Sequence, residues 1–311
     1  MAMTELGKAF DGIIWYWIES SYGVADISTA TLPISCKVQD VRIDSGDRIR
    51  SRRSIESPLV CSFAKKITEP KLHIEYIPQD DDTMIDDVID RQTGTCCELQ
   101  SLSFAIGFNK CKTGDDTSWF RVKGAKPSTV RVSASKDADY MIVVDYECQS
   151  IVSVAAGAAT CGTEPTALTG EYLAFNIAGE ITKTGGLVVN TDHIAFICNS
   201  IDITVNHNLQ GQTDHDSLEK SYLTEGAMDV EGSVDITLDG GGAKHYSEVL
   251  ANTEFQIQVD MGAVGAPRIT LPNCKWKSTS LDKNVSSETM SSSVPFECKP
   301  SSCSLIVTAV A

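Results

Sequence analysis

Five histidines, eleven cysteines and a run of aspartates are the residues whose chemistry could reach beyond packing. His207 and His215 share one segment with Asp214 and Asp216, and an Asp-His-Asp triplet in a loop offers imidazole nitrogen and carboxylate oxygen to a divalent cation. The surrounding residues are polar, and a solvated loop is the preferred reading of the segment. Asp80-Asp81-Asp82 followed by Asp86-Asp87 lacks the alternating oxygens, central glycine and closing glutamate of a calcium loop. These acids suit the start of a helix, where the dipole favours negative charge. Gly240-Gly241-Gly242-Ala243-Lys244 misses the spacing of a phosphate-binding loop and reads as a turn between strand and helix. The cysteines are odd in number and contain no CxxC pair, so they are expected to be small buried thiols rather than zinc ligands. No nucleophile elbow is present. The expectation is a protein without cofactor, metal or catalytic residues, not an enzyme.

The elements that would position any site must come from 311 residues, 42% hydrophobic and 22% charged, a composition that builds a folded core in one large domain or two ordinary ones. The net charge of −16 argues against a nucleic-acid binder, which needs clustered Lys and Arg. It is compatible with a surface along which DNA slides without sticking. No apolar run approaches the roughly 18–20 residues that cross a bilayer. The segment from Gly12 to Ile18 is short and follows Glu5 and Asp11, unlike a signal peptide. Synthesis in the cytoplasm, with no membrane partner, is the expectation.

An internal repeat organises the chain. At an offset of 162 residues, Cys36–Asp44 lies over Cys198–Asn206, with Val41 and Ile43 on Ile203 and Val205, and both segments alternate as half-buried strands. The same offset sets Lys71–Tyr76 over Ser233–Leu238, and a short helix at 82–89 over another at 244–251. Further on, Leu99–Phe104 resembles Phe255–Val259, Lys123–Lys126 resembles Pro272–Lys275, and Tyr146–Cys148 resembles Phe296–Cys298. The division expected is an N-terminal extension over 1–33, a first β domain over 34–150, a linker over 151–195 and a second β domain over 196–311. Leu173–Ile177 and Leu187–Val189 are candidate extra strands in the small-residue linker.

A strand, a long polar arm, the run Tyr222–Leu238, a helix at 245–250 and a late Leu271-Pro272-Asn273-Cys274 occur in this order. With Ser20-Ser21-Tyr22-Gly23-Val24 near the start, this pattern resembles the tail tube proteins of long-tailed bacteriophages and related archaeal viruses. The resemblance implies a mainly β fold of tandem β-sandwich or β-barrel units, each with one short flanking helix. It further implies rings whose inner sheets join around a lumen, stacked into a hollow tube in the virion tail and assembled in the host cytoplasm. DNA would leave through the bore without specific binding, and tape measure, terminator and tail-tip proteins would be partners. Two units per chain would close a ring as a trimer with pseudo-sixfold symmetry, a hexamer being the alternative. Lumen-facing positions should then be acidic or neutral polar.

Two arms are the candidate ring-stacking elements. Asp44–Glu56 carries Arg48, Arg50, Arg52 and Arg53 against three acids, a net +1. Asn206–Lys220 carries Asp214, Asp216 and Glu219 against Lys220, a net −2. Opposite signs would register one ring on the next. Competing readings are another ring-forming tail or injection-machine part (terminator, baseplate hub, secretion tube) and a carbohydrate-binding β-sandwich adhesin, which would need exposed aromatic platforms.

Overall fold

The computed structural model describes residues 13–24, 32–34, 37–46, 49–53, 60–65, 68–91, 98–108, 118–136, 138–154, 166, 168–174, 181–185, 197–214, 217–238, 250–261, 268–277, 290–300 and 306–307. The fold is mainly β, and among the described residues the sheets do not close into a barrel. In chain order the first elements are β1 (Ile13–Ile18), β2 (Leu32–Pro33), β3 (Lys37–Asp44), β4 (Ile49–Arg53), β5 (Val60–Lys65), β6 (Lys71–Ile77), helix α1 (Met84–Ile89), β7 (Leu102–Phe108), β8 (Ser118–Ser135), β9 (Met141–Glu147) and β10 (Ser150–Val154). There follow β11 (Ile181–Gly185), β12 (Ile197–Asn206), β13 (Gln210–Gln212), β14 (Tyr222–Thr224), β15 (Asp229–Leu238), β16 (Phe255–Asp260), β17 (Arg268–Trp276), β18 (Met290–Cys298) and β19 (Ile306–Val307).

These strands form two series with one pairing order. The first runs β1-β7-β8-β9-β6-β3 and the second β11-β16-β17-β18-β15-β12, all antiparallel. β10 adds to β8 as β19 adds to β17. A hairpin arm, β4–β5 or β13–β14, leaves each series between two paired strands, β3 and β6 in the first and β12 and β15 in the second. β1, inside the 1–33 segment, thus corresponds to β11, which lies between the two linker segments read as strands. Leu173 sits between two isolated bridges, and 187–189 lies outside the described residues.

Register makes the correspondence residue by residue. A bulge skips Gln39 opposite Tyr76 and Glu75, and another skips Asn199 opposite Ile236 and Asp235, so this part of the repeat has an offset of 160. The turns that follow differ: Asp44 accepts the Gly46 N–H at 2.8 Å and Asn206 accepts the Asn208 N–H at 3.0 Å, an offset of 162. The second hairpin is therefore longer, and Val41 and Ile43 correspond to Ile201 and Ile203 rather than to Ile203 and Val205. A slip of two keeps every side chain on its face, which is why the alternation conceals it. Lys126 pairs Glu147 as Lys275 pairs Glu297. The break between Leu102 and Phe104 recurs between Phe255 and Ile257, so Leu102, not Leu99, is the counterpart of Phe255. At that break Gly124 and Asn273 both take left-handed backbone, φ 59° and 51°, a conformation glycine and asparagine tolerate best.

The two series meet along one joint. β12 pairs the second half of β8, from Ser200↔Ser135 to Asn206↔Thr129, so one sheet runs through both. Its inward residues, among them Leu72, Ile74, Val130, Val132, Ile142, Val144, Ile201, Ile203, Val234 and Phe296, share one core with Met84, Ile85, Val88 and Ile89 of α1. Trp15, Trp17, Ala105 and Trp119 form a second buried cluster.

The thiols depart from expectation. Cys274 and Cys298 form a disulfide, because β17 and β18 set them directly opposite. Cys148, the counterpart of Cys298, is a buried free thiol whose pKa burial pushes up. Ala125 holds the place of Cys274: it precedes Lys126 on β8, and Cys148 follows Glu147, the register partner of Lys126. Ala125→Cys is therefore expected to form a second disulfide and stabilise the chain by ~3 kcal/mol. Intact mass under non-reducing conditions and thermal unfolding with and without reductant check this; a chain that keeps both thiols free would refute it.

Candidate functional site

The continuous sheet turns one face to the core and the other to solvent. Along β3, β6, β9, β8, β12, β15, β18 and the end of β17, alternation directs Asp40, Asp44, Glu75, Asp145, Asp202, Asp229, Glu231, Asp235 and Glu297 away from the core, against Arg42, Lys71, Arg131 and Lys275. Ser133, Ser135, Ser200, Thr204, Asn206, Ser233 and Ser293 fill much of the rest. The face is acidic and polar. Polar contacts lie on it: Arg131 bonds Asp202 across the joint, Arg42 Nε donates to Asp40 at 2.6 Å, and His73 Nδ1 lies 2.7 Å from Asp145. Asp40, His73 and Glu75 have donor atoms within 4.8 Å of one another, and Arg42 and Asp145 are the partners two of them already have. Sequence reading missed this group, since alternation reveals the outward positions but only strand register makes them neighbours.

The second arm covers one end of this face. Lys220 Nζ lies 2.6 Å from Glu147, and Lys126 Nζ lies 2.6 Å from Glu225, with side chains of Lys220 and Lys126 only 7% and 3% exposed. Lys126 also donates to the Leu223 carbonyl at 3.2 Å and stands 4.7 Å from the centre of the Tyr222 ring. Arg91 donates to the Gly226 carbonyl at 3.0 Å, and Thr68, at the end of the first arm, donates its N–H to the Leu218 carbonyl at 2.9 Å. Glu19 is buried and accepts bonds from Ser101, Ser103 and the N–H groups of Gly23 and Gly124. The arm is thus a clamp as well as a projection.

Of the residues singled out for stacking, Arg50, Arg52 and Arg53 lie on β4, paired to β5, while Arg48 and Asp216 lie outside the described residues. Asp214 and Glu219 are exposed at the second arm's tip, where the Asp214 N–H bonds Ser221 Oγ and the Glu219 N–H bonds Ser217 Oγ. His207 is not part of a solvated loop: it is buried, its Nε2 lies 3.2 Å from the Val88 carbonyl, and desolvation lowers its pKa to about 4. His215 lies outside the described residues.

Of the aspartates around α1, Asp82 meets the helix entry, Asp81 a neighbouring loop and Asp87 the Tyr16 hydroxyl. Asp82 accepts the Met84 N–H at 2.9 Å, and Asp81 accepts the N–H groups of Thr169 and Gly170 at 2.9 and 3.0 Å. Burial raises the pKa of Asp82 to about 7 and of Asp87 to about 6; Tyr16 donates its hydroxyl to Asp87 at 3.2 Å. Among the described residues no helix is long and apolar enough to cross a membrane.

No protein-family model matches the chain, and no curated protein matches it in sequence.

Proposed function

We propose that this chain is a structural subunit that polymerises into stacked rings, forming a hollow tail tube through which viral DNA passes. The observation that carries the reading is the joint between β8 and β12, at which one unit continues the sheet of a topologically matching unit. The chain makes this contact once within itself. β3 is the counterpart of β12 and pairs only β6 among the described residues, leaving a strand edge of the kind that accepts another chain. Repeating the joint between chains closes a ring, three chains giving six units. The acidic, polar solvent face suits a bore that must not hold DNA, because like charges repel along the path.

Tape measure, terminator and tail-tip proteins are the partners this role entails, and the virion tail is its place. The acids exposed at the tip of the second arm, Asp214 and Glu219, remain available for a contact with the next ring. The sugar-binding alternative gains no support from the tryptophans: Trp15, Trp17, Trp119 and Trp276 are all buried. Negative-stain electron microscopy of the purified chain, with its mass in solution, tests the proposal. Hollow rings or tubes, and a ring mass of three chains, are expected. A monomer that stays monomeric at high concentration and in the presence of tail tips would overturn it.

A further inference from the structure

Within the chain, the second arm is seated on a Lys–Glu pair of the first series, and the second series carries the same pair with no arm on it among the described residues. Lys126 and Glu147 are cross-strand partners on β8 and β9, and the arm meets both with complementary groups, Glu225 on Lys126 and Lys220 on Glu147. Lys275 and Glu297 hold the corresponding positions on β17 and β18, in the same register. There the side chains are 39% and 67% exposed, against 3% for Lys126 and 23% for Glu147. Around them stand Asp229, Glu231, Glu254 and Lys277, with Lys277 Nζ 2.7 Å from Glu231 and 3.6 Å from Glu297.

We infer that this patch on β15, β17 and β18 is the seat for the first arm, β4–β5, of a second copy of this chain. Three observations favour that occupant. The contact already exists once inside the molecule, where an arm of one series lies on the other series next to the β8–β12 joint. The first arm corresponds in topology to the arm that makes it, each a hairpin inserted between corresponding paired strands, β3 and β6 or β12 and β15. The charges are complementary: the first arm carries Arg48, Arg50, Arg52 and Arg53 against Asp47 and Glu56, while the patch carries Asp229, Glu231, Glu254 and Glu297 against Lys275 and Lys277. Opposed patches of this kind set register and speed encounter more than they add affinity. The inference rests on the ring-forming reading above and deepens it, since it names which arm meets which face when two chains join.

A photo-crosslinking amino acid at Ser51, on β4, tests the contact in the full-length chain. After irradiation of the assembled protein, crosslinks are expected to join Ser51 to peptides from β15, β17 and β18 of another copy, told apart from links within one chain by mixing isotopically light and heavy protein. In a second measurement, the triple variant Arg50→Glu, Arg52→Glu, Arg53→Glu and the separate double variant Glu231→Lys, Glu297→Lys should each raise the concentration needed for assembly at least tenfold. Combining all five substitutions in one chain should restore most of the loss. Assembly with crosslinks confined to other surfaces, or a combined variant no better than its parents, would overturn the arm contact while leaving the ring reading intact. A wild-type chain that never associates would overturn both.

Discussion

Lys126→Ala is expected to destabilise the chain by about 3–5 kcal/mol, the range for removing one partner of a buried ion pair. The ammonium is enclosed: Glu225 at 2.6 Å, the Leu223 carbonyl at 3.2 Å, and the rings of Tyr222 and Tyr22 at 4.7 and 5.6 Å from its nitrogen. Alanine would leave the Glu225 carboxylate, whose side chain is 8% exposed, with the Leu99 N–H at 3.2 Å as a remaining donor. The cost comes from that stranded charge more than from the lost attraction. Lys126→Met combined with Glu225→Gln should therefore recover most of the loss, because a thioether chain fills similar volume and the amide oxygen still accepts from Leu99. Urea unfolding of the three proteins measures this as a shift in midpoint at constant slope. A Lys126→Ala chain within about 1 kcal/mol of wild type would mean that the arm is not clamped by this pair.

The sequence discloses the strands well and their neighbours poorly, for reasons visible in particular residues. Ile201, Ile203 and Val205 alternate with Asp202 and Thr204, so the period of two exposes both the strand and its buried face. The same period hides register: a shift of two residues changes no face, and the repeat is readable at 162 although its bulges stand 160 apart. Short chemical landmarks did better. Lys126 with Lys275, and Glu147 with Glu297, mark true counterparts, since each cross-strand pair preserves its register while loop lengths change around it. The disulfide was not legible, because Cys274 and Cys298 become neighbours only when β17 and β18 pair. The role of the second arm was half legible. Its acids are exposed at the tip, but Lys220, counted among its solvated charges, is buried against Glu147. His207 misled for a related reason: two residues of sequence separate it from the exposed arm strand β13, yet its ring lies against the α1 carbonyl of Val88.

The joint between β8 and β12 is where a second substitution should have a large effect, and the outcome distinguishes one continuous sheet from two tethered units. Ile203 is 1% exposed, flanked by Val132 on β8 and by Gly232 on β15. A side chain added at Gly232 would meet the Asp202 carbonyl oxygen and the Phe296 ring, so the neighbourhood has little room to rearrange. Ile203→Asp places an unpaired carboxylate there, and a loss above roughly 4 kcal/mol is expected, a size reserved for buried charges and large cavities. Because β12 belongs to the second series but hydrogen-bonds the first, the loss should not stay local. Amide hydrogen exchange of the wild type should show β6 and β9 of one series and β15 and β18 of the other opening with similar free energies. In Ile203→Asp all four strands should lose protection together, whereas Ile203→Val should lower all four by about 0.5–1.5 kcal/mol. If β6 and β9 kept their protection in Ile203→Asp while β15 and β18 lost theirs, the first series would be an independent folding unit. The joint would then be a docking contact rather than part of the core, and as a template for contacts between chains it would be correspondingly weak.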